Sequence, residues 1–215
     1  MSKLPPSASI ATALSGDKLH APSAERNAEA LTDLLTRIAP PTGQALEIAS
    51  GTGQHITGFA RALPNLIWTP SEVSAERIAS IAAYRSEAHL PNLNTPINLD
   101  ACASGWSRES MRYDLILTVN LLHLISTLAA KTLIAEVADA LTPGGTLMLY
   151  GPFLRDNQTT SDGDARFHAD LQASDPAIGY KDRDTVLGWG QSARLIPTQC
   201  IDMPANNLAL VFKSP

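Results

Sequence analysis

The chain has 215 residues, a net charge of −5, and 44% apolar and 17% charged residues, the profile of a single globular domain with short extensions. With no basic excess to neutralise phosphates, a general nucleic-acid binder is not expected. No apolar run approaches the roughly 20 residues that span a bilayer, and the N-terminal stretch lacks the apolar core of a signal peptide, so no membrane partner and a cytoplasmic location are expected.

Residues 1–20, rich in Ser, Ala and Pro, read as a mobile arm or a lid that orders on something else, and residues 21–215 as the folded domain. Helical spacing begins after Ser23, a candidate cap, with Ala24, Ala28, Leu31, Leu34, Leu35 and Ile38 on one side, and "APPTG" ends it. Strand-like and helix-like segments then alternate. "QALEIAS" is an apolar strand, "HITGFARAL" a helix, "NLIWTPS" a second strand. "SAERIASIAAYRSEA" is an amphipathic helix with Ser74 as its cap. "NTPINLD" is a third strand, weakened by Pro96 and so suited to an edge. "YDLILTVN" is nearly all apolar, as a central strand covered on both faces should be. Arg108 and Arg112, just before it, are the nearest approach to a basic patch and read as solvated helix-end charges. "LAAKTLIAEVADAL" is a helix stopped by "TPGG", and "TLMLYG" a fifth strand.

This alternation predicts an α/β fold: a Rossmann-like, doubly wound, mostly parallel sheet with helices on both faces. The end departs from it. "ARLIPTQCIDM" and "NLALVFK" are joined only by "PANN", too short for a crossover helix, so these two strands must be antiparallel. Seven strands ending in a reversed hairpin are therefore expected. Cys102 and Cys200 stand far apart with no CxxC or HExxH pattern, so reduced thiols and no metal site are expected.

Ligands of such sheets sit beyond the carboxyl ends of the strands, at the topological switch point. The first strand ends in Glu47, Ala49, Ser50, Gly51, Thr52 and Gly53, the second in Ser71 and Glu72, the third in Asp100 and Ala101, the fourth in Asn120, Leu121 and His123, and the fifth in Tyr150 and Phe153. Glycines after the first strand let a ligand approach the backbone at a helix start, though a mere tight turn would look the same, since Ala49 occupies the first position of the full G-x-G-x-x-G fingerprint. Glu72, about twenty positions on, can accept both hydroxyls of a ribose, or be a solvated loop glutamate. Asp100 can accept an adenine amino group. Three such features in register at successive strand ends point to a nucleotide-like ligand.

"LEIASGTGQH", "PSE", "NLD" and "LTVNLLH" resemble the ordered motifs of class I S-adenosylmethionine-dependent methyltransferases. "HAPSAERNAEAL", "LIWTPSE", "NLLHL", "LYGPF" and "DMPANNLALVFK" are similar more closely to the methyltransferase-like family called domain of unknown function 938, from about His20 to the end. The resemblance implies S-adenosylmethionine as cofactor. It implies that Glu47 and the backbone of Ser50, Gly51, Thr52 and Gly53 border its methionine part. Glu72, where aspartate is frequent, would take the ribose, and Ser71 beside it would belong to the cofactor site. Asp100 and Ala101 would meet the adenine, Asn120 and Leu121 would line the sulfonium side, and Arg26 and Asn27 would close over the site.

Methyl transfer requires mainly alignment and exclusion of water, and a base only where the acceptor carries a proton. His123 is the candidate base, or a histidine hydrogen-bonded locally at a helix start. Tyr150 and Phe153 either wall an acceptor pocket, the tyrosine offering a hydroxyl, or pack in the core. His55 either touches the cofactor carboxylate or sits solvated in a first turn. Cys102 reads as a buried small residue. Asn206 and Asn207 are read as turn formers first. The polar stretch from Arg155 to Asp184 is expected to shape substrate access, with Phe167, His168 and Tyr180 available to cover a small molecule. The expected function is methyl transfer to an oxygen, nitrogen or sulfur of a small molecule; a cofactor-binding partner or regulator without transferase activity is the alternative, and a nicotinamide-dependent oxidoreductase a third. Oligomeric state leaves no mark on the sequence.

Overall fold

The computed structural model describes residues 4–5 and 8–215. In chain order its elements are β1 (Thr12–Ala13), β2 (Leu19–His20), α1 (Pro22–Ile38), β3 (Gly43–Ile48), α2 (Gln54–Ala62), β4 (Leu66–Glu72), α3 (Ala75–Ala88), β5 (Ile97–Asn98), α4 (Trp106–Glu109), β6 (Tyr113–Val119), α5 (Thr127–Ala140), β7 (Leu141–Pro152), α6 (Asp162–Ser174), α7 (Arg183–Ser192), β8 (Ile196–Asp202) and β9 (Asn207–Lys213).

The main sheet runs β5-β4-β3-β6-β7-β9-β8. Its first five strands pair in parallel, and β9 pairs antiparallel with both β7 and β8. The fold is thus the expected doubly wound sheet with a terminal reversed hairpin. The period of two along each strand divides the core. Leu46, Ile48, Ile116, Leu147, Leu149, Leu210 and Phe212 face one side and pack with Leu133, Ile134 and Val137 of α5 and Val186 of α7. Ala45, Leu115, Leu117, Met148, Tyr150 and Val211 face the other and meet Leu31, Leu34 and Leu35 of α1, Ile56 and Phe59 of α2, and Ile81 of α3. Both faces are covered, which is why these strands read as almost unbroken apolar runs. β3 and β6 lie side by side at the centre, and the chain leaves them in opposite directions, so their carboxyl ends form the switch point.

Several local expectations change. α1 starts at Pro22 with Ala21 as cap and no side-chain capping bond. Proline supplies a helical φ and lacks the amide that would need a partner, which places Ser23 inside the first turn. Ser74 does cap α3, accepting from the Arg77 amide. Arg112 is not merely solvated: its Nη1 donates to the carbonyls of Asp139 (2.7 Å) and Leu141 (3.0 Å), closing the end of α5. The polar stretch after β7 carries α6 and leads into α7. Ser161 accepts from the Asp164 amide at 3.2 Å and donates to its carboxylate at 2.7 Å, and Asp182 caps α7. Those two caps were the available sequence signals. No helix among the described residues is long and apolar enough to cross a membrane.

Of the expected arm, residues 1–3 and 6–7 lie outside the described residues. The arm's last residues are docked on α3, whereas Ala8 packs with Leu171, Ile178 and Tyr180. The Leu19 amide donates to Ser80 Oγ (2.9 Å), Tyr84 donates to the Leu19 carbonyl (3.1 Å), and Lys18 pairs with Glu87 (2.6 Å).

Candidate active site

Both central strands end on a residue in the left-handed region: Ala49 after β3 (φ 55°) and Asn120 after β6 (φ 57°). Such a conformation is uncommon for side-chain-bearing residues, and here it turns the chain sharply at the switch point on both sides. The Asn120 amide is held by the Tyr150 carbonyl at 2.8 Å. Ser71, fully buried at the end of β4, stitches the glycine loop down: its Oγ donates to the Glu47 carbonyl (2.9 Å), and its amide reaches Ser50 Oγ (3.2 Å). The two loop glycines have different reasons. A Cβ on Gly53 would lie 2.9 Å from the Cα of Ile81, so Gly53 permits α2 to pack on α3. A Cβ on Gly51, at φ +59°, would meet nothing within 4 Å and would enter open space.

That open space is a cavity of about 460 Å³. Of the expected site residues, Arg26, Glu47, Ser50, Gly51, Thr52, His55, Asn120, Leu121 and His123 line it. Phe167 and Tyr180, both edge-on to His123, line it too, together with Asp164 of α6, Pro152 and Asn207. Ser9, Ile10 and Ala11 of the N-terminal arm and Arg77 of α3 form further wall; sequence gave no signal for these, because their proximity to the site depends on how the arm docks.

The other expected residues stand behind the wall or beside it. Asn27 is buried and braces His55: in the amide orientation that satisfies its neighbours, its nitrogen donates to His55 Nε2 (2.7 Å) and to the carbonyls of Ser23 and Ala24. Glu72 is buried and accepts from the amides of Gly51 (3.1 Å) and Val73 (2.8 Å), so it braces the glycine loop. Asp100 is exposed and accepts from the Cys102 amide, while the carbonyl of buried Ala101 accepts from Trp106 Nε1. Phe153 packs in the core beneath α5 and α7. Tyr150 is 1% exposed, with its hydroxyl beside the amides of Asn27 and Asn207. Asn206 donates to the Asp164 carboxylate at 3.0 Å, which ties the hairpin turn to α6. His168 accepts from the Tyr180 amide (3.0 Å).

Among the described residues, five buried side-chain polar atoms lack a hydrogen-bond partner: Glu47 Oε2, Thr118 Oγ1, His123 Nδ1, the Tyr150 hydroxyl and Arg155 Nε. Glu47, Thr118 and Tyr150 belong to the carboxyl-terminal ends of β3, β6 and β7, and His123 to the short 3-10 turn Leu122–Leu124 after β6. Unpaired buried groups are rare because each costs about 1–3 kcal/mol; of these residues Glu47 and His123 line the cavity, while Thr118 and Tyr150 stand behind its wall.

Burial, aided by the neighbouring Glu72 charge, pushes the Glu47 carboxyl up to about 8, against a Ser50 hydrogen bond that favours ionisation. Burial also pulls His55 down to about 4, and burial together with the Lys181 charge pulls His123 down to about 3. Both histidines are therefore neutral at pH 7. Because their folded pKa values are depressed below the ordinary 6.5, the stability they contribute is present above that pH and is lost as pH falls from it. The NMR shifts of the His123 ring should accordingly stay flat between pH 8 and 5; a midpoint near 6.5 would contradict its burial.

The family described as "Protein of unknown function (DUF938)" matches residues 18–214. The chain belongs to the DUF938 family. Solved structures similar to this DUF938 protein include an O-methyltransferase family protein from Burkholderia thailandensis (TM-score 0.76, 15% identity), covering 89% of this chain and 57% of that one. An O-methyltransferase family 2 protein from Planctomyces limnophilus in complex with apigenin matches with TM-score 0.72 and 18% identity over 87% of this chain and 62% of that one. CalO1, a methyltransferase in calicheamicin biosynthesis in its SAH-bound form, matches with TM-score 0.70 and 13% identity over 89% and 55%. At these identities the likeness establishes the fold, that of class I methyltransferases. The DUF938 chain spans little more than half the length of these neighbours.

Proposed function

We propose that this DUF938 protein transfers a methyl group from S-adenosylmethionine to an oxygen, nitrogen or sulfur of a small molecule. The observation that carries this reading is the meeting of open backbone at Gly51 with unpartnered Glu47 Oε2 in one cavity at the switch point. Glu47 lines the cavity and fits the cofactor's amino group, while Glu72, Asp100 and Ala101 stand beside the cavity. Glu47 would receive its amino group, Glu72 its ribose, and Asp100 with Ala101 its adenine. When bound, the cofactor supplies a methyl group already activated for displacement. The remaining work falls to the protein: to orient a nucleophile and to keep water out, a contribution of roughly 7 to 11 kcal/mol in well-aligned systems.

The acceptor would lie between His123, Phe167 and Tyr180. Neutral His123, with Nδ1 free of protein partners, offers a hydrogen-bond acceptor to a protic nucleophile and holds it in line; its low pKa makes full proton removal costly, so it serves a nucleophile that is already acidic or already deprotonated better than an alcohol. Residues 9–11 would act as part of a lid over the cofactor end. The SAH and apigenin held by two structural neighbours support this reading.

Calorimetric titration with SAH and with NAD is the first test. SAH binding with no NAD binding is expected, and NAD binding alone would refute the proposal. A labelled methyl-transfer screen against metabolite extracts then separates an enzyme from a binding protein: tight SAH binding with no transfer to any acceptor favours the latter. Once an acceptor is found, His123→Ala should leave SAH affinity intact and slow turnover.

A further inference from the structure

Arg77 has no part in the roles above, yet it touches both sides of the cofactor end. It sits in the first turn of α3 and lines the cavity. Its Nη2 donates to the carbonyl (3.2 Å) and the hydroxyl (2.5 Å) of Ser9. Its Nη1 stands 3.9 Å from Glu72 Oε2, the oxygen that also accepts from the Gly51 amide. One guanidinium therefore links the N-terminal strap, the carboxylate at the end of β4 and, through it, the glycine loop.

The strap needs such a link. Downstream of it the chain is fixed to α3 by the Leu19 and Lys18 contacts and to α2 by the Ala21 amide, which donates to Gln54 Oε1 (2.6 Å). Upstream, Ala8 packs with Leu171, Ile178 and Tyr180 on the far side of the cavity. Between these anchors, β1 and β2 share only two paired positions, and Ile10 and Leu14 are exposed. Ser9 itself takes a left-handed backbone (φ 58°), a conformation that persists only where contacts hold it. Arg77 holds Ser9 there through two hydrogen bonds.

We propose that Arg77 is a cofactor-positioning residue: it clamps the strap of residues 8–11 over the cavity and steadies Glu72 for the ribose, so that cofactor release requires this clamp to open. The role rests on the methyltransferase reading. Arginine suits it because a planar fork can serve two acceptors at once, which a lysine ammonium on a flexible stem does poorly.

The test uses the full-length chain with Arg77→Met, Arg77→Lys, Ser9→Ala and the Ser9→Ala/Arg77→Met double variant. Hydrogen exchange is followed across residues 8–14, and SAH affinity and dissociation rate are measured, with urea melts to confirm equal global stability. In Arg77→Met the strap amides should exchange faster and SAH should leave about tenfold faster, the size expected for a lost charged hydrogen bond. Arg77→Lys should recover only part of this. Ser9→Ala should have a smaller effect, and adding it to Arg77→Met should change nothing further. Strap exchange and SAH release unaffected by Arg77→Met, or effects of the two residues that add in full, would overturn the role. Wild-type protein that binds no SAH overturns the methyltransferase reading and this role with it, whereas SAH binding indifferent to Arg77 overturns the role alone.

Discussion

Gly51→Val should abolish SAH binding in a chain that still folds. The position is in the left-handed region (φ +59°), and an added Cβ meets no protein atom within 4 Å. The fold therefore bears only the backbone strain, about 1–2 kcal/mol. The isopropyl group, however, would stand in the cavity where the cofactor must lie against bare main chain. A loss of at least about a hundredfold in affinity is expected, on the order of 3 kcal/mol, with a urea midpoint only slightly lowered. Gly53→Val, two residues on, should do the reverse. Its Cβ would lie 2.9 Å from the Ile81 Cα, at φ +93°, so α2 and α3 must part and the chain should lose most of its stability. Wild-type SAH affinity in Gly51→Val would mean that no ligand crosses this loop.

Glu47→Gln should stabilise the protein and weaken the cofactor together. The folded carboxyl titrates at about 8, raised from 4.5 mainly by burial. Between those values the unfolded chain is ionised and the folded one is not. The folded state then binds more protons, so stability falls as pH rises from 4.5 to about 8 and stays lowered above it. A neutral amide removes that fall. Stability should be little changed at pH 4 and higher than wild type at pH 9, by on the order of 4 kcal/mol. Binding runs the other way. The amino group of SAH prefers ionised Glu47, so wild-type affinity should rise about tenfold per pH unit toward pH 8, with a proton released on binding. Calorimetry in two buffers of different ionisation enthalpy reads that proton. In Glu47→Gln both the proton and the pH slope should vanish, and affinity at pH 8 should drop by about two orders of magnitude, as for a lost charged contact in a buried site. A pH-independent wild-type affinity would place the amino group elsewhere.

The parts of this molecule that sequence made legible are those whose physics is local or periodic. β3, β6 and β7 are apolar on both faces because helices cover both, and that leaves an unbroken run that needs no partner to be recognised. The reversed hairpin was legible because "PANN" cannot hold a helix, and the Ser74 cap because its acceptor lies in its own first turn. α6 and α7 were hidden: their surfaces are mostly polar, and only Leu171 of α6 and Val186 and Gly190 of α7 are buried, so the apolar period is faint and the caps at Ser161 and Asp182 carry the signal. Ser23 was displaced as a cap by the proline beside it. For the site, strand-end logic brought Glu47, Gly51, Asn120 and His123 to one cavity. It did not reveal that Glu72 folds back on the glycine loop, and it left Phe153 open between pocket wall and core, since side-chain direction at a strand end is set by packing. Ser9 and Arg77 were beyond reach, because they meet only once the arm has crossed α3.

One consequence concerns when the cavity comes into being. Its walls draw on Ser9 to Ala11 near the start of the chain and on Ala205 and Asn207 in the final hairpin turn, where Ala205 and Asn206 both adopt left-handed backbone and Asn206 is moored to Asp164. A chain emerging from the ribosome can form β3, α2 and β4 early, but the pocket stays incomplete until the last strand inserts between its antiparallel neighbours. On the proposed reading, capacity for SAH reports completion of folding, and a chain truncated before β9 should be unable to retain it.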